Sequence, residues 1–379
     1  MNVLIAIDSF KGAVSSLEAG FSLKSGLSIN PDLKLQVCAV SDGGEGSLEV
    51  LSQNGIGTYQ KMMCKDSFGR DTMVNVLFFE EDDKKCCAIE TASMIGIQGQ
   101  NPTPNTVMTT SSYGLGQLIC HLMENQISKI IVFVGGTITT DAGLGALQAL
   151  GLLLYDEKHE LLANHANPLM NFDHLDKEKL QQIRNHLKKV ELVVGVDVNA
   201  PLYGTYGCSQ MYARQKGADE KQIQQMEGHL RKLDEQCDLD LMEPGCGAGG
   251  GLAAGLKIIG GNIVPGFDIV KHFIDLTSKV QWADLIITGE GAINDQTLQG
   301  KLPLCMAEMA KKEQKPIIAL CGQKNYTDKS LNDWFDGIFS IQPSICSLQE
   351  AIQNTKVNLE EIGFQFGKLI KRNHHENRS

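Results

Sequence analysis

The 379-residue chain lacks features that several common classes of protein require. Its net charge at pH 7 is −11, so it has no surplus of basic residues of the kind that nucleic-acid binding needs. It has no C-x-x-C pair, and its eleven cysteines are an odd number in a chain much longer than disulfide-rich secreted domains. We therefore expect reduced thiols and no nucleic-acid partner.

Signals for export and for membrane insertion are also absent from the sequence. The N-terminus has no basic segment, and Asp8 interrupts the first apolar run too early for a signal peptide. No stretch approaches the roughly 18 apolar residues that a membrane span needs. We therefore expect a cytoplasmic protein without a membrane partner.

Two nucleotide-binding signatures are missing or out of context. The chain has no G-x-x-x-x-G-K-[ST] motif, which excludes a Walker-type nucleotide site. Residues 245–250 match G-x-G-x-x-G, but residues 241–244 before them do not read as a strand, and this argues against an oxidoreductase. Two interpretations stay open: a tight turn into a closely packed helix at 252–259, or a phosphate cradle at the N-terminus of that helix.

What the sequence does contain is a repeated pattern of apolar runs that stop at Asp or Gly. Such a run of about five residues is typical of a buried parallel strand that ends in a loop. The runs are residues 3–7, 35–40, 130–134, 192–196 and 284–288. Helical patterns alternate with them, and one begins at a capping box formed by Ser15 and Glu18. The length suffices for about two domains, and the alternation predicts an α/β fold with a parallel sheet.

Acidic residues follow four of these runs. They are Asp8, Asp42, Asp197 and Glu290. Ligands of open α/β sheets bind outside the carboxyl ends of the strands, so we expect these side chains in a site. Carboxylates that converge repel one another unless a cation or proton lies among them. Mg²⁺ suits that position because it binds few protein carboxylates together with substrate phosphates.

Three lysines stand beside glycines, at Lys11, Lys216 and Lys301. Each of them alone is typical of solvated surface. In an acidic chain, however, local positive charges are needed to hold a polyphosphate. Neighbouring glycines also allow backbone N–H groups to approach an anion closely.

Motifs along the whole chain resemble those of the glycerate kinase family. The matching segments are residues 8–12, 42–46, 110–114, 135–141, 197–202, 215–218, 244–252, 283–291 and 296–301. Their order and spacing fit over nearly the full length, and together they are specific. The resemblance implies an enzyme that phosphorylates D-glycerate with ATP and Mg²⁺, most commonly at the 2-hydroxyl to give 2-phosphoglycerate.

The resemblance also implies the domain organisation. We expect a Rossmann- or flavodoxin-like parallel sheet in a first α/β domain formed by residues 1–70 and 266–379. A second α/β domain is inserted at 71–265, and the active site lies in the cleft between the two. The oligomeric state is left open, with a homodimer as one expectation.

We assign roles to the site residues as hypotheses. Asp42 or Asp197 accepts the proton of the attacking hydroxyl, and Lys11 neutralises a phosphate or the substrate carboxylate. Glu290 and Asp197 hold Mg²⁺, directly or through water. The residues expected to bind glycerate or ATP are Ser9, Gly43, Gly44, Lys216, Thr288, Gly289, Gly291 and Lys301.

The chain departs from the family pattern at a few positions. Relatives often have Arg where Ala292 stands and Asp where Asn294 stands, and residues 137–143 also differ from the usual run. These departures leave two alternatives open. One is a kinase of another small hydroxy acid, and the other is a catalytically silent relative that binds ligand.

Overall fold

The computed structural model describes residues 1–164 and 166–376. Its strands are β1 Asn2–Ile7, β2 Lys34–Val37, β3 Thr58–Lys65, β4 Asp71–Glu81, β5 Lys84–Glu90, β6 Lys129–Val134, β7 Leu154–Tyr155, β8 His174–Leu175, β9 Glu191–Val196, β10 Asn262–Pro265, β11 Leu285–Asn294, β12 Ile317–Asn325 and β13 Gly337–Ser340. Its helices are α1 Ser16–Leu27, α2 Ser47–Gln53, α3 Ala92–Ile95, α4 Pro104–Thr109, α5 Tyr113–Glu124, α6 Leu144–Ala149, α7 Lys177–Leu187, α8 Cys208–Tyr212, α9 Glu220–Gln236, α10 Leu252–Ile258, α11 Gly266–Phe273, α12 Leu276–Trp282, α13 Leu302–Lys312, α14 Leu348–Gln353 and α15 Thr355–Glu376. The α/β class predicted from the alternating pattern is confirmed.

The chain forms two compact units. Unit 1 comprises Met1–Asp42, Glu49–Ile56 and Val270–Ser379, and unit 2 comprises Gly43–Leu48 and Gly57–Ile269. Strand β3 and the short segment Gly43–Leu48 thus belong to unit 2, whereas the sequence-based boundary at residue 70 assigned both to the first domain. The segment is too short to show a composition of its own, so no change in composition marks it along the chain.

Unit 1 contains a five-stranded sheet in the order β13-β12-β11-β1-β2, with each neighbouring pair parallel. Strand β1 lies between β11 and β2, and its residues 3–7 are fully buried. Their side chains are apolar throughout because a strand inside a parallel sheet is covered on both faces. The capping box predicted at the start of α1 is present, since Ser15 accepts from the backbone N–H of Glu18 and the Glu18 side chain accepts in return.

Helices α1 and α15 pack against each other in unit 1 through glycine. A Cβ atom at Gly26 would lie 1.9 Å from the carbonyl oxygen of Glu360 and 2.6 Å from the backbone nitrogen of Phe364. Real side chains do not tolerate such distances, so only glycine allows the two backbones to approach this closely.

Strand β11 is longer than its apolar run. The sequence placed the end of this strand at Thr288 and read Gly289-Glu290-Gly291 as a loop. The structure corrects this, because β12 continues the ladder by pairing Gly289 with Leu320 and Glu290 with Cys321. A glycine- and acid-containing segment stays extended here since a neighbouring strand supplies its hydrogen bonds.

Unit 2 contains a six-stranded mixed sheet in the order β10-β9-β6-β5-β4-β3. The strands from β10 to β5 are parallel, and β4 and β3 are antiparallel to their neighbours. The β4–β5 hairpin turns at Asp82 and Asp83, which both have positive φ. The carboxyl ends of β5, β6, β9 and β10 therefore lie along one edge of this sheet.

The glycine-rich segment 245–251 is a packing turn. A Cβ at Gly247 would lie 2.3 Å from the carbonyl oxygen of Pro201, and one at Gly250 would lie 2.3 Å from that of Thr139. Helix α10, which follows, has only seven residues. Of the two interpretations left open by the sequence, the structure favours the closely packed turn.

Among the helices that the structure describes, none combines the length and the apolar character that crossing a membrane requires.

Candidate active site

Three carboxylates influence one another at the carboxyl edge of the unit 1 sheet. Asp8 follows β1, Asp42 follows β2 and Glu290 lies in β11, and these are three adjacent strands. Burial, together with the charges of Asp42 and Glu290, raises the pKa of Asp8 to about 8. The sequence predicted that these three acids and Asp197 would lie in one site, but it assigned no catalytic or binding role to Asp8.

Glu290 has two partners within unit 1. It is buried, its Oε1 accepts a hydrogen bond of 2.7 Å from Thr297 Oγ1, and its Oε2 lies 3.6 Å from Lys301 Nζ. Burial raises the pKa of Glu290, although Lys301 and Thr297 both act to lower it. Lys301, predicted to contact a phosphate, is thus placed beside a carboxylate.

The turn that carries Thr297 is capped by Asn294. The Asn294 side chain accepts from the N–H of Gln296 at 3.0 Å, and the backbone N–H of Asn294 donates to Thr297 Oγ1 at 3.2 Å. Asn and Asp serve equally well as acceptors at such a cap. This family departure therefore keeps the side-chain cap of the turn that carries Thr297.

Lys11 and Ser9 lie on the loop that follows β1. The N–H of Ser9 donates to Asp8 Oδ1 at 2.7 Å, and the charge of Lys11 acts to lower the pKa of Asp8. Lys11 is exposed, and its backbone nitrogen would lie 3.8 Å from a Cβ at Gly291. A side chain on residue 291 would therefore face the backbone of this loop.

Thr288 and Gly289 lie inside β11. Thr288 is fully buried, and its Oγ1 has no hydrogen-bond partner within the part of the chain that the structure describes. Gly289 accepts from the N–H of Asp8 at 2.9 Å, and a Cβ there would lie 2.2 Å from the carbonyl oxygen of Leu320. Gly289 is thus required for the close approach of β12.

In unit 2 the segment Gly43–Leu48 lies against the carboxyl edge of the sheet. A Cβ at Gly43 would lie 2.0 Å from the carbonyl carbon of Gly266, which follows β10. A Cβ at Gly135, which follows β6, would lie 3.4 Å from Gly44 Cα and 3.0 Å from Asp197 Oδ2. The predicted residues Gly43, Gly44 and Asp197 are therefore brought together, with Gly135 between the last two.

Glu90 is a residue of this edge that the sequence analysis missed. It ends β5, and its Oε1 accepts from the N–H of Leu48 at 2.8 Å. Burial and the nearby Glu45 raise the pKa of Glu90 to about 7, while hydrogen bonds from the backbone of Leu48, Gly46 and Ser47 act to lower it. The available signal was the same as for Asp8, since Glu90 directly follows the apolar run 86–89.

Lys216 is buried in unit 2 and is not a solvated surface residue. Its Nζ donates to Thr137 Oγ1 at 3.0 Å and to the carbonyl oxygen of Thr139 at 2.8 Å. Burial lowers the pKa of Lys216 to about 8, and the charges of Asp141 and Asp197 act in the opposite direction. The lysine therefore ties the segment around residue 216 to the loop after β6.

Asp141 is fully buried at the start of the turn into α6. It accepts from the N–H of Ser112 at 2.7 Å, from Ser112 Oγ at 2.8 Å and from the N–H of Gly143 at 3.1 Å. Burial raises the pKa of Asp141, and these donors oppose that rise. Its contacts indicate that it holds the 110–114 and 137–143 segments together.

Each unit thus presents one part of the chemistry that the sequence predicted. Unit 1 carries Asp8, Asp42, Glu290 and two lysines, and unit 2 carries Asp197 with the glycine loops. No group of three or more His, Cys, Asp or Glu among residues 1–164 and 166–376 has the arrangement of a ready metal site. Glu290 and Asp197 belong to different units, so their shared role as metal ligands stays a prediction.

Comparison with known proteins matches the chain over nearly its full length. The model of the Glycerate kinase family matches residues 3–371. The chain is 31% identical to a glycerate kinase of Bacillus cereus and 31% identical to the glycerate 2-kinase of Escherichia coli, with 95% of both chains covered in each case. A crystal structure assigned as glycerate kinase 2 from Salmonella typhimurium LT2 aligns with a TM-score of 0.79 and 29% identity over 99% of both chains. The chain therefore belongs to the glycerate kinase family and is a kinase.

Proposed function

We propose that this kinase transfers the γ-phosphoryl group of ATP to the 2-hydroxyl of D-glycerate with the aid of Mg²⁺. Membership of the glycerate kinase family supports glycerate as the acceptor, and the name of the Escherichia coli relative favours 2-phosphoglycerate as the product. The observation that carries the proposal is the group of Asp8, Asp42 and Glu290. Their mutual repulsion is the electrostatic setting in which a divalent cation and a polyphosphate are stable together.

The repulsion among these carboxylates supports the proposal of a divalent cation at this edge. The pKa of Asp8 rises to about 8 because desolvation and the charges of Asp42 and Glu290 outweigh the hydrogen bond from Ser9 and the charge of Lys11. Asp8, Asp42 and Glu290 are the unit 1 residues that would hold Mg²⁺, with Asp197 as the predicted ligand from unit 2. The cation, when bound, supplies charge neutralisation for the transferring phosphoryl group.

The side chains of the protein supply positioning, positive charge and a base. Lys11 and Lys301 add positive charge at the unit 1 edge, where a phosphate or the glycerate carboxylate is negative. Asp42 or Asp197 accepts the proton that leaves the attacking hydroxyl. Gly44 and Gly291 are the glycines proposed to let a ligand approach the backbone closely, whereas glycine at 43 and 289 makes room for Gly266 and for Leu320 of β12. A reaction site in the cleft between the domains stays a prediction, as do the homodimer and the cytoplasmic location.

The proposal is tested by identifying the product. The purified chain is incubated with Mg-ATP and D-glycerate, and ³¹P and ¹H NMR distinguish 2-phosphoglycerate from 3-phosphoglycerate. We expect 2-phosphoglycerate, and we expect turnover to stop when EDTA removes Mg²⁺. Exclusive formation of 3-phosphoglycerate would contradict the assignment of the hydroxyl.

Controls separate the remaining alternatives. L-glycerate, lactate and tartrate replace D-glycerate in parallel reactions, because faster turnover of one of them would identify another hydroxy acid as the substrate. The variant Asp66→Asn is a matched control, since the half-buried Asp66 pairs with the exposed Arg70 outside the proposed site. No phosphorylated product from any acid, with an intact fold, would support the silent relative instead.

A further inference from the structure

Two consecutive residues at the end of β5 bind two glycine loops of unit 2. Glu90 accepts hydrogen bonds from the segment Gly43–Leu48, and Thr91 exchanges hydrogen bonds with Gly135. Neither residue is among those to which we have assigned a role in catalysis or in binding. Their adjacency means that one strand end determines where both loops lie.

Glu90 satisfies the backbone donors at the start of α2. The first N–H groups of a helix have no partner within the helix and carry partial positive charge. Here the N–H of Leu48 donates to Glu90 Oε1 at 2.8 Å, and those of Gly46 and Ser47 also bind the Glu90 carboxylate. The carboxylate thus takes the position that a phosphate oxygen occupies at other helix N-termini.

Thr91 fixes the second loop on the same strand end. Thr91 is fully buried. Its Oγ1 accepts a hydrogen bond of 3.3 Å from the backbone N–H of Gly135 and donates one of 3.2 Å to the carbonyl oxygen of Gly135. Gly135 is the residue whose Cβ would lie 3.4 Å from Gly44 Cα and 3.0 Å from Asp197 Oδ2. The loop held by Glu90 therefore meets the loop held by Thr91 next to Asp197.

The electrostatics of Glu90 also point to a role beyond packing. A carboxylate that is largely buried beside another acid, here Glu45, is unfavourable unless hydrogen bonds compensate it. A neutral residue would avoid that cost, but it would not hold three backbone N–H groups by charge-assisted hydrogen bonds. The ionised form of Glu90 is the form that binds the loop most tightly.

We propose that Glu90 is a positioning residue that holds Gly44 against Gly135 beside Asp197 by acting as an internal anion for the N–H groups of Gly46, Ser47 and Leu48. A ligand phosphate is then excluded from the start of α2 and is directed to the loops next to Asp197. The inference rests on the proposed phosphoryl transfer for its catalytic part only. The hydrogen-bonded anchor is a property of the protein without substrate.

The first test measures amide hydrogen exchange without substrate. NMR follows individual N–H groups in the wild type, in Glu90→Gln and in the control variant Asp176→Asn. Asp176 caps α7 in the same unit by accepting from the N–H of Lys179 at 2.9 Å, so the control loses a comparable hydrogen bond away from the site. We expect the N–H groups of 46–48 to exchange at least about 10-fold faster in Glu90→Gln and at wild-type rates in Asp176→Asn.

The second test measures kinetics with Mg-ATP and D-glycerate. Misplacing a loop beside the reacting groups lowers catalysis, so we expect kcat/KM of Glu90→Gln to fall about 10- to 100-fold while Asp176→Asn stays within about twofold of wild type. We expect most of the loss in kcat, because the loop positions groups in the transition state. The wild-type profile of kcat/KM should rise as pH increases through about 7, where Glu90 ionises, and Glu90→Gln should lack this rise.

The two tests fail separately. Unchanged exchange of 46–48 in Glu90→Gln would overturn the anchor whether or not the protein is active. Faster exchange with wild-type kcat/KM and an unchanged pH profile would overturn the positioning role. If the wild type yields no phosphorylated product, the proposed function fails, whereas the exchange experiment still decides whether Glu90 holds the loop.

Discussion

Replacing Asp8 by Asn should make unit 1 more stable at alkaline pH when no divalent cation is present. The wild-type carboxylate is crowded by Asp42 and Glu290, and burial and this repulsion raise its pKa from 3.8 to about 8. Asn keeps nearly the same volume and still offers an oxygen to the N–H of Ser9. The substitution therefore removes the charge and little else.

The sign follows from proton linkage. Between pH 3.8 and about 8 the folded protein holds the Asp8 proton and the unfolded chain does not, so the wild-type free energy of unfolding falls as pH rises across this range. The difference in pKa corresponds to roughly 5–6 kcal/mol as an upper limit. Side-chain relaxation and entry of water reduce it, and we expect about 1–3 kcal/mol. At pH 9 a difference of this size corresponds to a thermal unfolding midpoint about 3–10 °C higher in Asp8→Asn than in wild type.

Tryptophan fluorescence is a suitable assay for this effect. The chain has two tryptophans, Trp282 and Trp334, and both belong to unit 1, so their signal reports the unfolding of that unit. Melting curves are recorded from pH 4 to pH 9 in EDTA and again with excess Mg²⁺. We expect Mg²⁺ to raise the midpoint of wild type at pH 9 and to have a smaller effect on Asp8→Asn.

A second aspartate of unit 1 provides a control of opposite sign. Asp295 accepts hydrogen bonds from Thr327 and from the N–H of Asp328, and these hold its pKa below the usual value. Asp295→Asn should therefore be less stable than wild type at neutral pH. Two results would contradict this reasoning: destabilisation of Asp8→Asn at pH 9, or a melting midpoint of Asp8→Asn that depends on pH as that of wild type does. Either would mean that the charge of Asp8 does not destabilise the folded protein.

Four further predictions concern single residues. Lys11→Ala should lower kcat/KM about 30- to 1,000-fold, the scale of one lost electrostatic donor, with an unchanged melting midpoint; steady-state kinetics within threefold of wild type would remove Lys11 from the mechanism. Asp197→Asn should lower kcat about 100-fold or more if Asp197 is the base, and single-turnover measurements of the chemical step would detect this. The pKa of the buried Lys216 is lowered from 10.5 to about 8, so between these pH values the unfolded chain binds one more proton than the folded protein. The wild type should therefore gain stability in melting curves as pH rises from 8 to 10.5, and Lys216→Met should abolish this gain. Gly26→Ala should destabilise unit 1 by about 1–3 kcal/mol, since its Cβ would lie 1.9 Å from the carbonyl oxygen of Glu360; an unchanged tryptophan melting curve would contradict the close packing of α1 and α15.

Local sequence patterns were sufficient for several strands and for part of the grouping of the acids. An apolar run that stops at Asp or Gly specifies a buried strand that ends in a loop without reference to distant residues, and this identified β1, β6 and β9. Because parallel strands end at one edge, the same pattern predicted that Asp8, Asp42, Asp197 and Glu290 would converge. The structure places Asp8, Asp42 and Glu290 at one edge of the unit 1 sheet, whereas Asp197 follows β9 in the sheet of unit 2. The capping box at Ser15 is equally local, since its two hydrogen bonds join residues three positions apart.

Strand lengths, burial and hydrogen bonds that depend on neighbours distant in sequence could not be predicted from the local pattern. The extension of β11 through Glu290 requires β12 beside it. The burial of Lys216, which the sequence assigned to ligand binding, requires Thr137 and Thr139 around its ammonium group. The role of Glu90 depends on N–H groups more than 40 positions earlier in the chain. Hydrogen bonding, burial and the resulting pKa are properties of an environment that only the tertiary structure assembles. The local sequence specifies which residue types stand at the strand ends. The fold sets which of them are charged, buried and in contact, because Coulomb and desolvation energies depend on distance in space rather than on separation along the chain.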